Sequence, residues 1–263
     1  MFALECVSAL ICLAFLVFGS WRDIKTREIP NKLWFIFGPT ATLLTFVRIG
    51  FHQELLQTTI LSFFLSIAIA VIVFYFRLFG GADILALICI TLSTPVFPTT
   101  IKPMIGFLHP LFPISLFCNS CLIALSSTVY MALRNAFWKP RTGLFDGFEK
   151  EPIWRKALAF VFGYKTGFSE LERRRHLYPM EQASEKGGKI ERRFKFLVKA
   201  EVDREKEIKE LKAYLGNGFF SQTVWVSPSL PMLLFFTISY ILTVTLGDIA
   251  FWLIQQLACS ISI

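Results

Sequence analysis

Residues 55–83 read LLQTTILSFFLSIAIAVIVFYFRLFGGAD, a long apolar run closed by a Gly-Gly-Ala-Asp step. A helix crossing a bilayer needs about 20 mostly apolar residues, and 55–79 supplies them. Outward from this run the chain repeats the pattern. Further apolar segments cover 2–20, 33–51, 84–108, 111–133 and 230–258. With 54% hydrophobic residues, 29 Phe and a mean hydropathy of +0.57, the 263-residue chain is too apolar for a water-soluble domain of its length. The expected fold is a membrane α-helical protein of six transmembrane helices, with a small cytoplasmic α+β domain inserted between helices 5 and 6. The corresponding division is 1–133 for helices 1–5, 134–229 for the soluble domain and 230–263 for helix 6. The fourth segment carries Pro95, Pro98 and Pro103 and is expected to leave the helix near Ser93. The first lacks a basic start and a small-residue cleavage site, so it reads as a retained helix.

Lys and Arg in short loops stay in the cytoplasm. Arg22, Lys25, Arg27 and Lys32 therefore place the loop after the first span inside, and alternation puts Gly80–Asp83 and 134–229 inside as well. Both chain ends are then expected outside. Residues 134–212 agree, with 20 of the 27 basic and 13 of the 19 acidic residues. That excess favours anionic lipid headgroups as partners. The mixed charge, including the run Arg173-Arg174-Arg175, gives no organised nucleic-acid surface. Within the insertion, Phe194, Phe196, Val198, Ala200 and Val202 alternate as in a half-buried strand. Asp203–Leu215 reads as a helix with Ile208, Leu211 and Leu215 on one face and Gly216 as its stop. Thr223–Val226 reads as a second strand, and 165–189 as loop or short helix.

The six cysteines all fall in apolar segments, where a free Cys is a small hydrophobe. Cys118 and Cys121 have redox spacing but no strand before them and no charge beside them, so packing is the expected role. His52, His109 and His176 are scattered, and neither a metal nor a cofactor is expected. Glu5 and Asp248 are placed near the outer face.

Asp23 and Asp83 remain. An ionised carboxylate is costly in hydrocarbon, so an acid kept at a membrane edge is a candidate functional group. The charge rule puts both at the same face. Two carboxylates sharing a site cannot both ionise cheaply and come to share one proton. The ionised member can then take a proton from water while the protonated one polarises an amide, which is hydrolysis without metal or covalent intermediate. Gly80 and Gly81 would let a substrate strand pass close to Asp83, and Pro30-Asn31 would restart a helix and restrain Asp23. A first-turn position facing the helix dipole assigns Asp83 as base and Asp23 as proton donor. Taken singly, each acid also reads as a routine helix cap or interfacial residue.

Asp23 to Asn31 fits Asp-x-x-x-x-x-Ile-Pro-Asn, and Gly80 to Asp83 places a second Asp after a glycine turn. In these motifs the chain resembles the GxGD-type membrane aspartyl proteases, and among them the type IV prepilin peptidases of the archaeal preflagellin (prearchaellin) kind. The resemblance extends to Gly163-Tyr164-Lys165, Tyr178-Pro179-Met180-Glu181 and Trp225-Val226-Ser227-Pro228 through Pro231. It implies that Asp23 and Asp83 are catalytic and that Pro30, Asn31, Gly80 and Gly81 support them. It also implies precursors of archaellin or pilin type as substrates, cut between a short basic leader and an apolar helix at the cytoplasmic face. Ala82 stands where the family pattern has Gly, which resembles the archaeal branch. The cysteine-rich insertion and methyltransferase region of bacterial members have no counterpart. The rival readings are a proton-coupled transporter and a non-enzymatic assembly platform, neither of which needs paired acids at one membrane edge.

Overall fold

The structure, a computed structural model, describes residues 2–76, 79–98, 101–105, 109–137, 143–186, 189–196, 204–215 and 223–261. The chain opens with α1 (Phe2–Thr26), α2 (Asn31–Phe51), α3 (Leu56–Tyr75), α4 (Gly81–Ser93) and α5 (Phe112–Ala136). Four of these, α1, α2, α3 and α5, are long and apolar enough to cross a bilayer. By contrast α4 has only 13 residues, about 20 Å at 1.5 Å per residue. The expected span 84–108 is therefore not one helix. It stops at Ser93, and Val96 of the following chain forms an antiparallel bridge with Leu111. A helix end that is buried must have its carbonyls satisfied by protein. The Leu92 carbonyl accepts from Thr45 Oγ1 of α2, and the Ser93 carbonyl accepts from Ser8 Oγ of α1 at 2.8 Å. Ser62 of α3 donates to Pro95 O at 2.7 Å.

Two units divide the chain, one of 1–124 with 231–263 and the other of 125–230. The second holds the end of α5, then α6 (Ile153–Phe162), β1 (Tyr164–Gly167), α7 (Phe168–Arg173), β2 (Leu177–Pro179), β3 (Glu181–Lys186), β4 (Lys189–Phe194), α8 (Arg204–Leu215) and β5 (Thr223–Pro228). An antiparallel sheet runs β1-β5-β2, and β3 pairs with β4 as a hairpin. Of the stretch 165–189, expected as loop or short helix, 168–173 is the short helix α7 and the described remainder is mostly strand. The strand expected from Phe194 onward lies earlier, ending at Phe194, while 197–203 fall outside the described residues. Its alternation is kept where visible, since Phe194 and Phe196 both join the cluster of Phe148, Met180 and Trp225. The helix expected at 203–215 is α8, with Ile208 and Leu211 buried; Gly216 lies outside the described residues. Gly163 shows why a side chain is excluded there: a Cβ would sit 2.7 Å from Val226 O and 2.1 Å from Met180 Sδ.

The last segment, expected as a single helix over 230–258, is broken into α9 (Met232–Thr245) and α10 (Ile249–Ile261) with a bend of 67°. Gly247, at φ 105°, ends the first helix in a conformation that favours glycine. Asp248 starts the second by accepting the Phe251 N–H at 2.9 Å. Ser115 Oγ donates to the same carboxylate at 2.7 Å, and Asn119 of α5 bonds Thr243 Oγ1, Gly247 O and the Ala250 N–H. Asp248, 3% exposed, is therefore a packing residue. Counting the bent pair once, the described residues contain up to five candidate spans, plus the short α4.

Candidate functional site

Asp23 and Asp83 are carried by helices that pack within the first unit, near enough for Asp83 to feel the charge of Asp23. The helix α1 packs on α2, α4 and α9, and α2 packs on α4. Behind them lies a core of Leu16, Phe37, Ala86, Leu87 and Ile90, all at most 1% exposed. Asp23 lies on the last turn of α1 rather than beyond it, because the helix continues to Thr26. Its side chain is 13% exposed and faces Arg27 across 3.9 Å.

The turn that follows is short and built by its own residues. The Arg27 N–H donates to Asp23 O at 3.0 Å, and Thr26 Oγ1 donates to the carbonyls of Arg22 and Glu28. Arg27 takes φ 56°, the left-handed conformation usual for glycine just past a helix end. An L-residue pays roughly 1–2 kcal/mol for that conformation. Pro30 then precedes α2, whose first residue is Asn31.

Asp83 occupies the first turn of α4. Its Oδ2 accepts the Gly80 N–H at 3.1 Å, which fixes the carboxylate over the helix N-terminus. The glycines do not relieve backbone strain. Gly80 has φ −74° and ψ 161°, open to any residue, and a Cβ on Gly81 would meet nothing within 4 Å. Both are exposed, so what they provide is a bare approach to the carboxylate. Asp83 senses the charge of Asp23, and both acids sense Arg27. Reading the sequence alone, Arg27 served only as a loop cation; its left-handed backbone carries no residue signature, since Gly or Asn would be the expected occupant.

Beside this turn opens an apolar groove of about 520 Å³, lined by Asn31 and Trp34 of α2, Ala70 and Phe74 of α3, and Gly81 and Ile84 of α4. Of the supporting residues, Asn31 and Gly81 thus border the groove, whereas Pro30 and Gly80 precede the helices α2 and α4. Among the described residues no group of three His, Cys, Asp or Glu is placed to hold a metal ion.

The other three motif segments build the second unit's sheet. Tyr164 and Lys165 lie on β1, Tyr178 and Pro179 on β2, and Trp225 on β5, where Lys165 is the register partner of Trp225. Lys165, Glu181 and Trp225 are all buried. Arg192 reaches both oxygens of Glu181 at 2.6 and 2.7 Å, the Trp225 N–H donates to the same carboxylate, and Lys165 Nζ donates to Gly143 O at 3.1 Å.

Comparison with known proteins places both halves of this arrangement. Residues 10–129 match the type IV leader peptidase family, and residues 155–249 match the archaeal peptidase A24 C-terminus, type II. Similar proteins include a preflagellin peptidase of Methanococcus voltae, 25% identical over 246 residues and covering 89% of this chain and 92% of the relative. Another is a preflagellin peptidase of Methanococcus maripaludis, 22% identical over 243 residues with the same coverage. One family model thus falls on the helices that carry the two aspartates and the other on the sheet, and over most of its length the chain is similar to archaeal preflagellin peptidases.

Proposed function

We propose that the protein is an aspartic endopeptidase in which Asp23 and Asp83 together cleave the leader from archaellin or type IV pilin-like precursors at the cytoplasmic face of the membrane. One observation carries it: two acids from separate helices share one electrostatic field with Arg27 beside an apolar groove. Water between the carboxylates loses a proton to the ionised member and attacks the scissile carbonyl carbon. The protonated member polarises that carbonyl and then protonates the departing amide nitrogen as the C–N bond breaks. Asp83, holding a backbone N–H at the N-terminal pole of α4, is suited to be the base, which leaves Asp23 as donor.

The substrate chemistry fits the position. A precursor cut just before its apolar helix presents that bond at the depth of the acids, the helix start can enter the groove, and the bare Gly80-Gly81 surface lets its backbone approach. The inward assignment rests on the basic residues around Asp23 and in 134–229. A transporter or an assembly platform would leave the likeness to leader peptidases and the paired acids without a use.

The test is cleavage of an archaellin or pilin precursor by the solubilised protein, read by gel shift and product N-terminal sequencing. Asp23→Asn and Asp83→Asn should each reduce cleavage by roughly 10²–10⁴-fold, the usual contribution of a positioned acid or base. Cleavage surviving either change in a folded protein would assign the chemistry to other residues. Isotope-edited infrared on each variant would reverse the base and donor roles if Asp23 proved to be the anion.

A further inference from the structure

The helix α6 has its polarity inverted for a helix on a water-soluble domain. Ile153, Trp154, Ala157 and Val161 recur at i, i+1, i+4 and i+8 and form one stripe. At the exposed end of that stripe Ile153 is 85% and Trp154 61% exposed, and Phe162 extends the apolar surface at 48%. The cations are bonded on the side away from the stripe, although the Arg155 guanidinium also stands 5.7 Å from the centre of the Trp154 ring. Arg155 pairs with Glu151 at 3.0 Å and bonds the Phe194 carbonyl, Lys156 Nζ donates to Glu149 O, and Ala159 is fully buried against Phe148 and Trp225. Apolar surface presented outward by a whole helix face marks something that covers it.

We propose that α6 lies in the membrane–water interface, with Ile153, Trp154 and Phe162 inserted among the lipid headgroups and upper acyl chains. The occupant follows from what holds the helix. Asn135, in the last turn of the spanning helix α5, donates through Nδ2 to Phe160 O at 2.8 Å and to Gly163 O at 2.7 Å. The C-terminal carbonyls of α6 are thus tied to the residue at which a spanning helix ends. Around it Leu133 and Phe137 of the same chain end are 53% and 73% exposed, an apolar surface at that level too. At its other side, Ser227 Oγ of β5 donates to Phe162 O, and only Ser229, Leu230 and Pro231 separate β5 from α9. A bilayer is present at this position in every molecule, whereas a protein partner would have to be recruited. Trp is also a preferred interfacial side chain, and an interfacial helix keeps its cations on the opposite face.

The experiment compares the full chain and Trp154→Phe in lipid nanodiscs, taking the difference in tryptophan emission as the Trp154 signal. That signal should lose most of its intensity in nanodiscs of phospholipid brominated near the headgroup, and little on addition of aqueous acrylamide. Quenching by acrylamide without quenching by brominated lipid would place the face in water and overturn the assignment. Resistance to both quenchers would show a protein covering, such as a second copy, and would overturn it equally. Trp154 is exposed and its indole packs into no core cluster, so the phenylalanine variant keeps the fold; unchanged precursor cleavage checks this.

Discussion

At Arg27 the chain accepts a strained backbone to place a guanidinium beside two carboxylates. Glycine removes the strain, and a β-branched residue makes it worse. Arg27→Gly should therefore leave thermal stability in detergent near that of the parent, while Arg27→Val should fall below Arg27→Gly by roughly 1–2 kcal/mol. Equal melting of the two variants would mean that the turn is not held left-handed. Glu181 offers a residue-scale test in the second unit. Burial, the largest influence, lifts its carboxyl above the ordinary 4.5, against the pull of Arg192. The folded state then holds that proton more tightly than the unfolded chain. Its contribution to stability is full below about pH 4.5 and is lost as pH rises through the raised value, at about 1.4 kcal/mol per pH unit of the shift. Relative to Glu181→Gln, the wild-type protein should lose stability with rising pH in that window, read by denaturant unfolding. A pH-independent difference would show that Arg192 cancels burial, and a gain of stability with rising pH would show that Arg192 outweighs it.

At the scale of elements, the join of α1 to α2 has two ends, and the sequence disclosed them unequally. Asp23 could be found because an acid at a membrane edge stands out. Glu5 also stood out, but its partner is Arg48 at the far end of α2, a contact 43 positions apart that no local pattern encodes. The pair is 3.2 Å apart with side chains 1% and 6% exposed. Removing one partner of such a pair leaves the other charge buried and costs about 3–5 kcal/mol, whereas removing both recovers much of that loss. Glu5→Gln and Arg48→Met should each lower thermal stability, and the double variant should lie well above the sum of the two. Additive losses would show no coupling. The errors in the second unit also have a local cause. In β3 and β4 charged residues occupy most positions, so period-two alternation is faint, and in sequence Gly187-Gly188 fits a loop as readily as a hairpin. The break before α10 has a legible sign, Gly247 followed by Asp248, a stop and then a cap, but the apolar residues on either side favour one continuous helix.

Across the whole molecule, the direction of the chain decides whether Asp23 and Asp83 face the cytoplasm. The described helices do not alternate as six equal spans, since α4 is short and the chain after it folds back, so counting helices is a weak guide to sidedness. The fold-back is nevertheless bonded as protein: Met104 N and Ile105 N donate to the carbonyls of Thr245 and Leu246 next to the bend before α10, and Val96 bridges Leu111. This ties Met104 and Ile105 to the α9–α10 bend, the end of α9 remote from its entry at Met232 after β5. If the sheet unit is cytoplasmic, Lys102 must then be external. Cysteine placed at Lys102 should react with a membrane-impermeant maleimide in intact cells, and cysteine at Lys206 on α8 should react only after lysis. The converse pattern would invert the molecule and, with it, move both aspartates to the outer face, where no cytoplasmic leader could reach them. Labelling of both positions in intact cells would break the link between the fold-back and the α9–α10 bend on which the assignment of Lys102 depends.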